Sequence, residues 1–280
     1  MVEVLPALLP VGLLIVVGWL MRVLRFPGDR FWPLLDKLIY FVLLPVLLIG
    51  TALKTDLDFL AALPMGLATV LALLALTLTL VLFRPLLAPT GAAFSSVIQG
   101  AVRVNIYAGF AIASAVYGDQ GVVLFSIVIA FAIPLDNLLS IAALNMFASS
   151  SRAPWSLLFR RVALNPLILA LAFGYALRIF DFAFPGPLLT TLDLVGNAAL
   201  PLALMGVGAG IRFMAPRSAL RPLIVAVLAR QLALPLLAFG CCHLLGLNGL
   251  ERSAVLLHAV LPTGPAAYSV ARQLGGDAPL

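Results

Sequence analysis

Arg103 lies in the segment Gln99-Gly-Ala-Val-Arg-Val-Asn-Ile-Tyr-Ala-Gly109 and is the single charge between Arg84 and Asp119. At the middle of a membrane helix such a charge costs about 2.5–3.5 kcal/mol on insertion scales, so it marks either an anion contact or an internal ion pair. Two residues on stands Asn105, a residue type that caps helices. An offset of 158 residues carries Asn105 onto Thr263, in Leu261-Pro-Thr-Gly-Pro265. A helix cannot pass Pro262 and Pro265 undisturbed, because each lacks an amide donor and collides with the preceding turn. Thr263 or Gly264 ahead of Pro265 forms an N-cap and N1 pairing. A break is therefore expected there and, by internal correspondence, near Asn105, where no proline assists. Two half-helix N-termini facing one spot would offer free amides and positive dipole ends. With Arg103 beside them, the spot suits a carboxylate. Tyr107 and Tyr268 would line it, or would serve as ordinary packing and interfacial residues.

Asp136 and Asn137 follow Pro134 in the next apolar stretch. An embedded carboxylate carries a proton, helps to bind Na⁺, or pairs with Arg103, and the sequence leaves these readings open. Arg230, midway along a later stretch, is a second anion contact or a residue that snorkels outward. His258 abuts the expected break and reads as a satisfied interior residue. Pro45, Pro201 and Pro235 read as helix kinks. No second intramembrane aspartate is evident to pair with Asp136, and H-E-x-x-H, G-x-S-x-G and G-x-G-D motifs are missing. These features point away from an enzyme and imply neither cofactor nor metal. Cys241 and Cys242 are adjacent, which suits small apolar helix residues better than a disulfide.

The elements that must position these groups follow from composition. Of 280 residues, 63% are hydrophobic and only 10% charged, and mean hydropathy is +1.16. A soluble domain carries about 25% charged residues, so no water-facing shell can be built here. Apolar runs place spans at 4–21, 33–53, 60–83, 92–116, 120–148, 155–177, 187–211, 217–243 and 252–274, nine membrane helices in all. The net charge of +6 arises from basic residues scattered singly, which excludes a nucleic-acid patch. With the N-terminus outside, Arg22, Arg25, Arg30, Lys37, Arg84, Arg152, Arg160, Arg161, Arg212, Arg217, Arg221 and Arg272 fall on the inner side. Only Lys54, Arg178 and Arg252 fall outside, and twelve against three is the positive-inside bias. Glu3 and the lack of a small-residue cleavage site make the first helix an uncleaved span.

The chain also repeats itself. An offset of 156 aligns Pro10 with Pro166, Gly18 with Gly174, Arg22 with Arg178, Pro45 with Pro201 and Gly50 with Gly206; an offset of 158 aligns Gly118-Asp119 with Gly276-Asp277. The first repeat holds five spans, an odd number, so the second must run in the opposite direction. Inverted repeats of this kind place a transport site at the midplane between them. The first repeat ends near residue 149 and the second, by the same offset, near about 306, whereas the sequence stops at Leu280. A tenth span of about 25 apolar residues beyond Leu280 is therefore expected.

Leu44-Pro45, Arg103-Val-Asn-Ile-Tyr-Ala-Gly109, Tyr117-Gly118, Pro134-Leu-Asp-Asn137, Asn165-Pro166, Asn197-Ala-Ala-Leu-Pro-Leu-Ala-Leu-Met-Gly206, and Pro262 to Tyr268 with Gly275-Gly-Asp277 occur in this order across nearly the whole chain. Together they resemble the auxin efflux carrier family of membrane transporters. The resemblance implies an all-α polytopic protein of ten helices, nine visible here, in two inverted five-helix repeats with crossed broken helices four and nine. It implies a scaffold of residues 1–58 and 150–215 that often dimerises. A moving transport domain would comprise residues 59–149 and 216–280. Its members carry small organic anions in the plasma membrane, the inner membrane in bacteria. Asn105 and the Pro262 region would flank the substrate. The chain departs from the family in having no crossover proline in span four and no helix ten before Leu280. A related alternative is a sodium- or proton-coupled symporter or exchanger of the bile-acid-symporter-like fold. A channel or sensor is separated from these by saturable uptake and counterflow.

The basic-residue count generates a direct expectation. Single cysteines placed between Arg152 and Arg161 resist an impermeant maleimide applied to intact cells and react after permeabilisation. Labelling from the outside would reverse the topology.

Overall fold

Apolar segments of this length have no water to satisfy their backbone polar groups, so each must close its hydrogen bonds within itself. The computed structural model describes residues 4–54, 63–87, 90–147, 164–180, 185–211 and 220–263, and all regular structure among the described residues is helical. Apart from a single turn at Arg84–Leu87, the described helices in chain order are α1 (Val4–Val23), α2 (Phe31–Lys54), α3 (Leu63–Leu82), α4 (Gly91–Val102), α5 (Ile106–Phe147), α6 (Pro166–Ile179), α7 (Gly186–Gly210), α8 (Leu220–Leu244) and α9 (Gly249–Val260). Among the described residues, five segments are long and apolar enough to cross a bilayer: α2, α3, Gly91–Phe147, α7 and α8. The expected all-α polytopic architecture is thus what the chain adopts.

Local chemistry explains the interruptions. Inside α5, Gly118 adopts φ 62 and ψ −152, a left-handed conformation that admits glycine without the Cβ penalty. This turn divides α5 between the spans expected at 92–116 and 120–148. In α2 and α8, π-helical turns at Ile39–Leu43 and Ala229–Ala233 immediately precede Leu44-Pro45 and Leu234-Pro235. A proline removes one amide donor, and the wider turn absorbs the misfit. Pro45 and Pro235 are therefore sites of local π winding, where the sequence suggests simple kinks. Buried or half-buried threonines return their hydroxyls to their own helix, as Thr51 does to Leu47 O at 2.7 Å and Thr69 to Met65 O at 2.9 Å.

The chain divides into two packing units. The first contains α1, α2, residues 107–126 of α5, α6 and α7. Its helices approach through glycines, as expected where lipid is as apolar as leucine and close van der Waals contact drives association. Gly18 of α1 faces the Met205 backbone of α7, and Gly208 of α7 faces the Ile15 carbonyl and Trp19 amide of α1. Gly174 of α6 lies against Ile49 and Ala52 of α2, and Gly196 of α7 lies against Leu47. The second unit contains α3, α4, residues 127–147 of α5, α8 and α9. There Gly66 meets the Phe131 ring, Gly91 meets the Phe147 carbonyl, and α3 and α9 both pack on α8.

A Cβ at Gly18 or Gly208 would overlap backbone atoms, whereas one at Gly12 or Gly240 meets nothing within 4 Å. Gly208→Val should destabilise the protein by about 1–3 kcal/mol through forced separation of α1 and α7. Gly240→Ala should leave the thermal midpoint unchanged or slightly raised. Unfolding of both variants in one detergent checks the contrast.

Candidate functional site

The second unit holds the break expected in span four. Helices α4 and α9 each run twelve residues, Gly91–Val102 and Gly249–Val260. Their first residues differ by 249 − 91 = 158 and their last by 260 − 102 = 158, the offset that pairs Asn105 with Thr263. Thr90 caps α4 by accepting the Ala93 amide at 3.2 Å, and Asn248 occupies the corresponding N-cap of α9.

Both helices end in extended backbone, at Arg103 (φ −72, ψ 129) and Leu261 (φ −68, ψ 144). At Leu261 the cause is local, since the residue before a proline is disfavoured in the helical region. At Arg103 no proline follows, and the extended segment is held from outside its own span. The Asn105 amide donates to Pro262 O at 2.9 Å, and the Thr263 hydroxyl donates to Gly100 O at 2.5 Å. The two breaks are thus stitched to each other.

Arg230 completes the junction. It lies in the π turn of α8 with 1% of its surface exposed. Its Nε donates to Leu261 O at 2.7 Å, one terminal nitrogen to Ala101 O at 3.3 Å and Val102 O at 3.1 Å, and the other to His258 O at 2.5 Å. These are carbonyls at the C-terminal ends of both broken helices, which carry partial negative charge. Arg230 therefore neither snorkels outward nor presents an open fork to an anion. The sequence predicts amide ends at this spot; among the described residues the carbonyl ends of α4 and α9 converge there, and a second half-helix after Thr263 lies outside them.

Arg103 is buried against α5. Its Nε donates to Ser140 Oγ at 3.1 Å and a terminal nitrogen to Asn137 Oδ1 at 3.1 Å. Asp136 is buried, its Oδ1 receives no hydrogen bond, and it forms no ion pair within 4 Å among the described residues. The Arg103–Asp136 salt bridge left open by the sequence is absent from this arrangement. Arg230 and Arg103 are nonetheless the charges that act on Asp136. Gln99 Oε1 and His258 Nε2 are likewise buried without a hydrogen-bond partner.

Of the residues singled out by sequence, Arg103, Asn105, Pro262, Thr263, Asp136, Asn137 and Arg230 all belong to this unit, and Asn105 is buried while Pro262 is exposed. Tyr107 groups with the first unit. Gly264, Pro265 and Tyr268 lie outside the described residues, as does any segment beyond them. Ser140 and Gln99 were not anticipated. Ser140 was legible in principle, since it stands four residues after Asp136 on the same helical face. Asp36 of α2 was also missed as an embedded acid; it is half-buried in the first unit, with Oδ1 beside Gly206.

The chain matches the family described as Membrane transport protein over residues 150–278. It is 22% identical over 258 residues to a protein of Methanothermobacter thermautotrophicus named "Uncharacterized transporter", an alignment covering 91% of this chain and 83% of the relative. Both comparisons liken the chain to membrane transport proteins. Among these, the chain resembles the auxin efflux carrier family.

Because Arg103 is held by Asn137 and Ser140 and not by Asp136, a neutral aspartate analogue should not compensate its loss. Asn137→Ala should lower stability by about 1–3 kcal/mol, leaving a buried charge short of a partner. Arg103→Gln combined with Asp136→Asn should be no more stable than Arg103→Gln alone, as read by denaturant unfolding of purified protein. Restoration in the double variant would reinstate the ion pair.

Proposed function

We propose that the protein is a carrier that moves small organic anions, chiefly carboxylates, across the membrane by an elevator-type alternating-access mechanism. The observation that carries this reading is the paired break of α4 and α9 at one offset, with Arg103 and Asn105 directly at the break. Discontinuous helices at a repeat interface are how transporters build substrate sites inside the bilayer. Arg103, Asn105, Tyr107, Pro262, Thr263, Gly264, Pro265 and Tyr268 form the proposed binding set. Support for a moving transport domain of residues 59–149 and 216–280 comes from packing. Helices α3, α4, α8 and α9 belong to one packing unit, and α1, α2, α6 and α7 of the proposed scaffold, residues 1–58 and 150–215, belong to the other. Residues 107–126 cluster with α1, α2, α6 and α7. The scaffold would form the homodimer, and the protein would sit in the inner membrane with its N-terminus outside.

A second reading, a proton- or sodium-coupled symporter of the bile-acid-symporter-like fold, is favoured by one observation. Asp136 Oδ1 is buried and unpartnered, as befits a group that takes up a coupling ion.

Proteoliposomes loaded with a panel of unlabelled mono- and dicarboxylates should show saturable counterflow of at least one labelled member. Each charge-assisted hydrogen bond contributes about 1.5–3 kcal/mol. Arg103→Gln should therefore weaken binding about ten- to a hundredfold, since 1.4 kcal/mol is tenfold. Asn105→Ala should weaken it less. Absence of counterflow across the panel would remove the carrier reading, and normal affinity in folded Arg103→Gln would remove that residue from the site.

A further inference from the structure

Interrupting a helix inside a membrane frees carbonyl oxygens that water does not reach. Carrier folds commonly use such unwound carbonyls and half-helix C-termini to coordinate a sodium ion. At this crossover six carbonyl oxygens already have protein donors. Ala101, Val102, His258 and Leu261 accept from Arg230, Gly100 accepts from Thr263, and Pro262 accepts from the Asn105 amide.

The charges also match. Two helix C-termini contribute about half a negative charge each, about one in total, and a guanidinium supplies one positive charge. Four of its five N–H donors have carbonyl partners, and only 1% of the residue is exposed. We infer that Arg230 is a tethered cation: it holds the position and supplies the charge of a coupling alkali ion at this crossover, so the junction forms and works without Na⁺ or K⁺. A lysine cannot substitute, because its donors radiate from a single nitrogen and cannot span carbonyls on two helices. The statement about transport rests on the carrier reading above; the statement about the junction rests only on the bonds of Arg230.

The test separates the two. Thermal midpoints of the purified full chain are measured in NaCl, KCl, choline chloride and millimolar guanidinium chloride at equal ionic strength. The wild type is expected to show the same midpoint in NaCl, KCl and choline chloride. Arg230→Ala is expected to lose several degrees in choline and to regain most of the loss in guanidinium or Na⁺, each read against the wild type in the same salt. Arg230→Lys is expected to lose stability too and to regain less, and it provides the comparison if Arg230→Ala yields no folded protein. A Na⁺-specific rise in the wild-type midpoint would overturn the inference. So would an Arg230→Ala midpoint equal to the wild type, or a loss that neither guanidinium nor Na⁺ relieves. Counterflow by wild-type proteoliposomes is expected to be equal in Na⁺ and choline, and a requirement for Na⁺ would count against a tethered cation. If no carboxylate shows counterflow in either salt, the carrier reading fails, while the midpoints still decide the role of Arg230.

Discussion

One interaction holds the second unit together: the guanidinium of Arg230 bound to carbonyls at the ends of α4 and α9. In an apolar medium a broken helix is unstable unless something replaces the missing intrahelical donors, because an unsatisfied carbonyl there costs several kcal/mol. Arg230 supplies four donors in one rigid fork, aimed at two helices at once. The Asn105 amide and the Thr263 hydroxyl close the remaining bonds between the two extended segments. The same contacts offset the burial of Arg230, whose charge would otherwise be prohibitive at 1% exposure. Break and cation thus each make the other tolerable.

Arg103 is held by a different logic. Its partners are neutral side chains on α5, Asn137 and Ser140, at two adjoining positions of one helix face. Asp136 stands beside Asn137 in the chain, buried and unbridged. The neighbourhood therefore contains one cation bound to helix ends and one bound to side chains of α5, with a carboxylate in electrostatic reach of both.

The first unit relies on closeness in place of charge. Gly18, Gly208, Gly174 and Gly196 bring backbones into contact at positions where even one added methyl would meet a neighbour. Such contacts suit helices whose outer faces remain apolar, as those of α1 and α7 do at Leu13, Val16, Leu188 and Leu194. Lys54 and Asp193 form an exposed ion pair within this unit at 2.6 Å. Pairs of this kind contribute little to stability, so the glycine contacts carry the packing.

Much of this was legible in the residues because hydropathy and backbone chemistry are local. Long apolar runs had to be helices, Gly118 had to mark a turn, and Leu261-Pro262 had to end a helix. The offset of 158 located the partner of that break, and α4 and α9 obey it at both ends. What local chemistry could not decide was which donor would meet which acceptor. Arg230 lies 31 residues from Leu261 and 129 from Ala101, and nothing in its own segment distinguishes a carbonyl anchor from an anion contact. The choice between Asp136 and Asn137 as the companion of Arg103 turned on one helical position. Apolar runs located the helices, and prolines with the internal repeat located the break at α4 and α9, from sequence alone. Only the tertiary structure decided the hydrogen-bond pairing, because donors and acceptors far apart in the chain find one another only once the helices have packed.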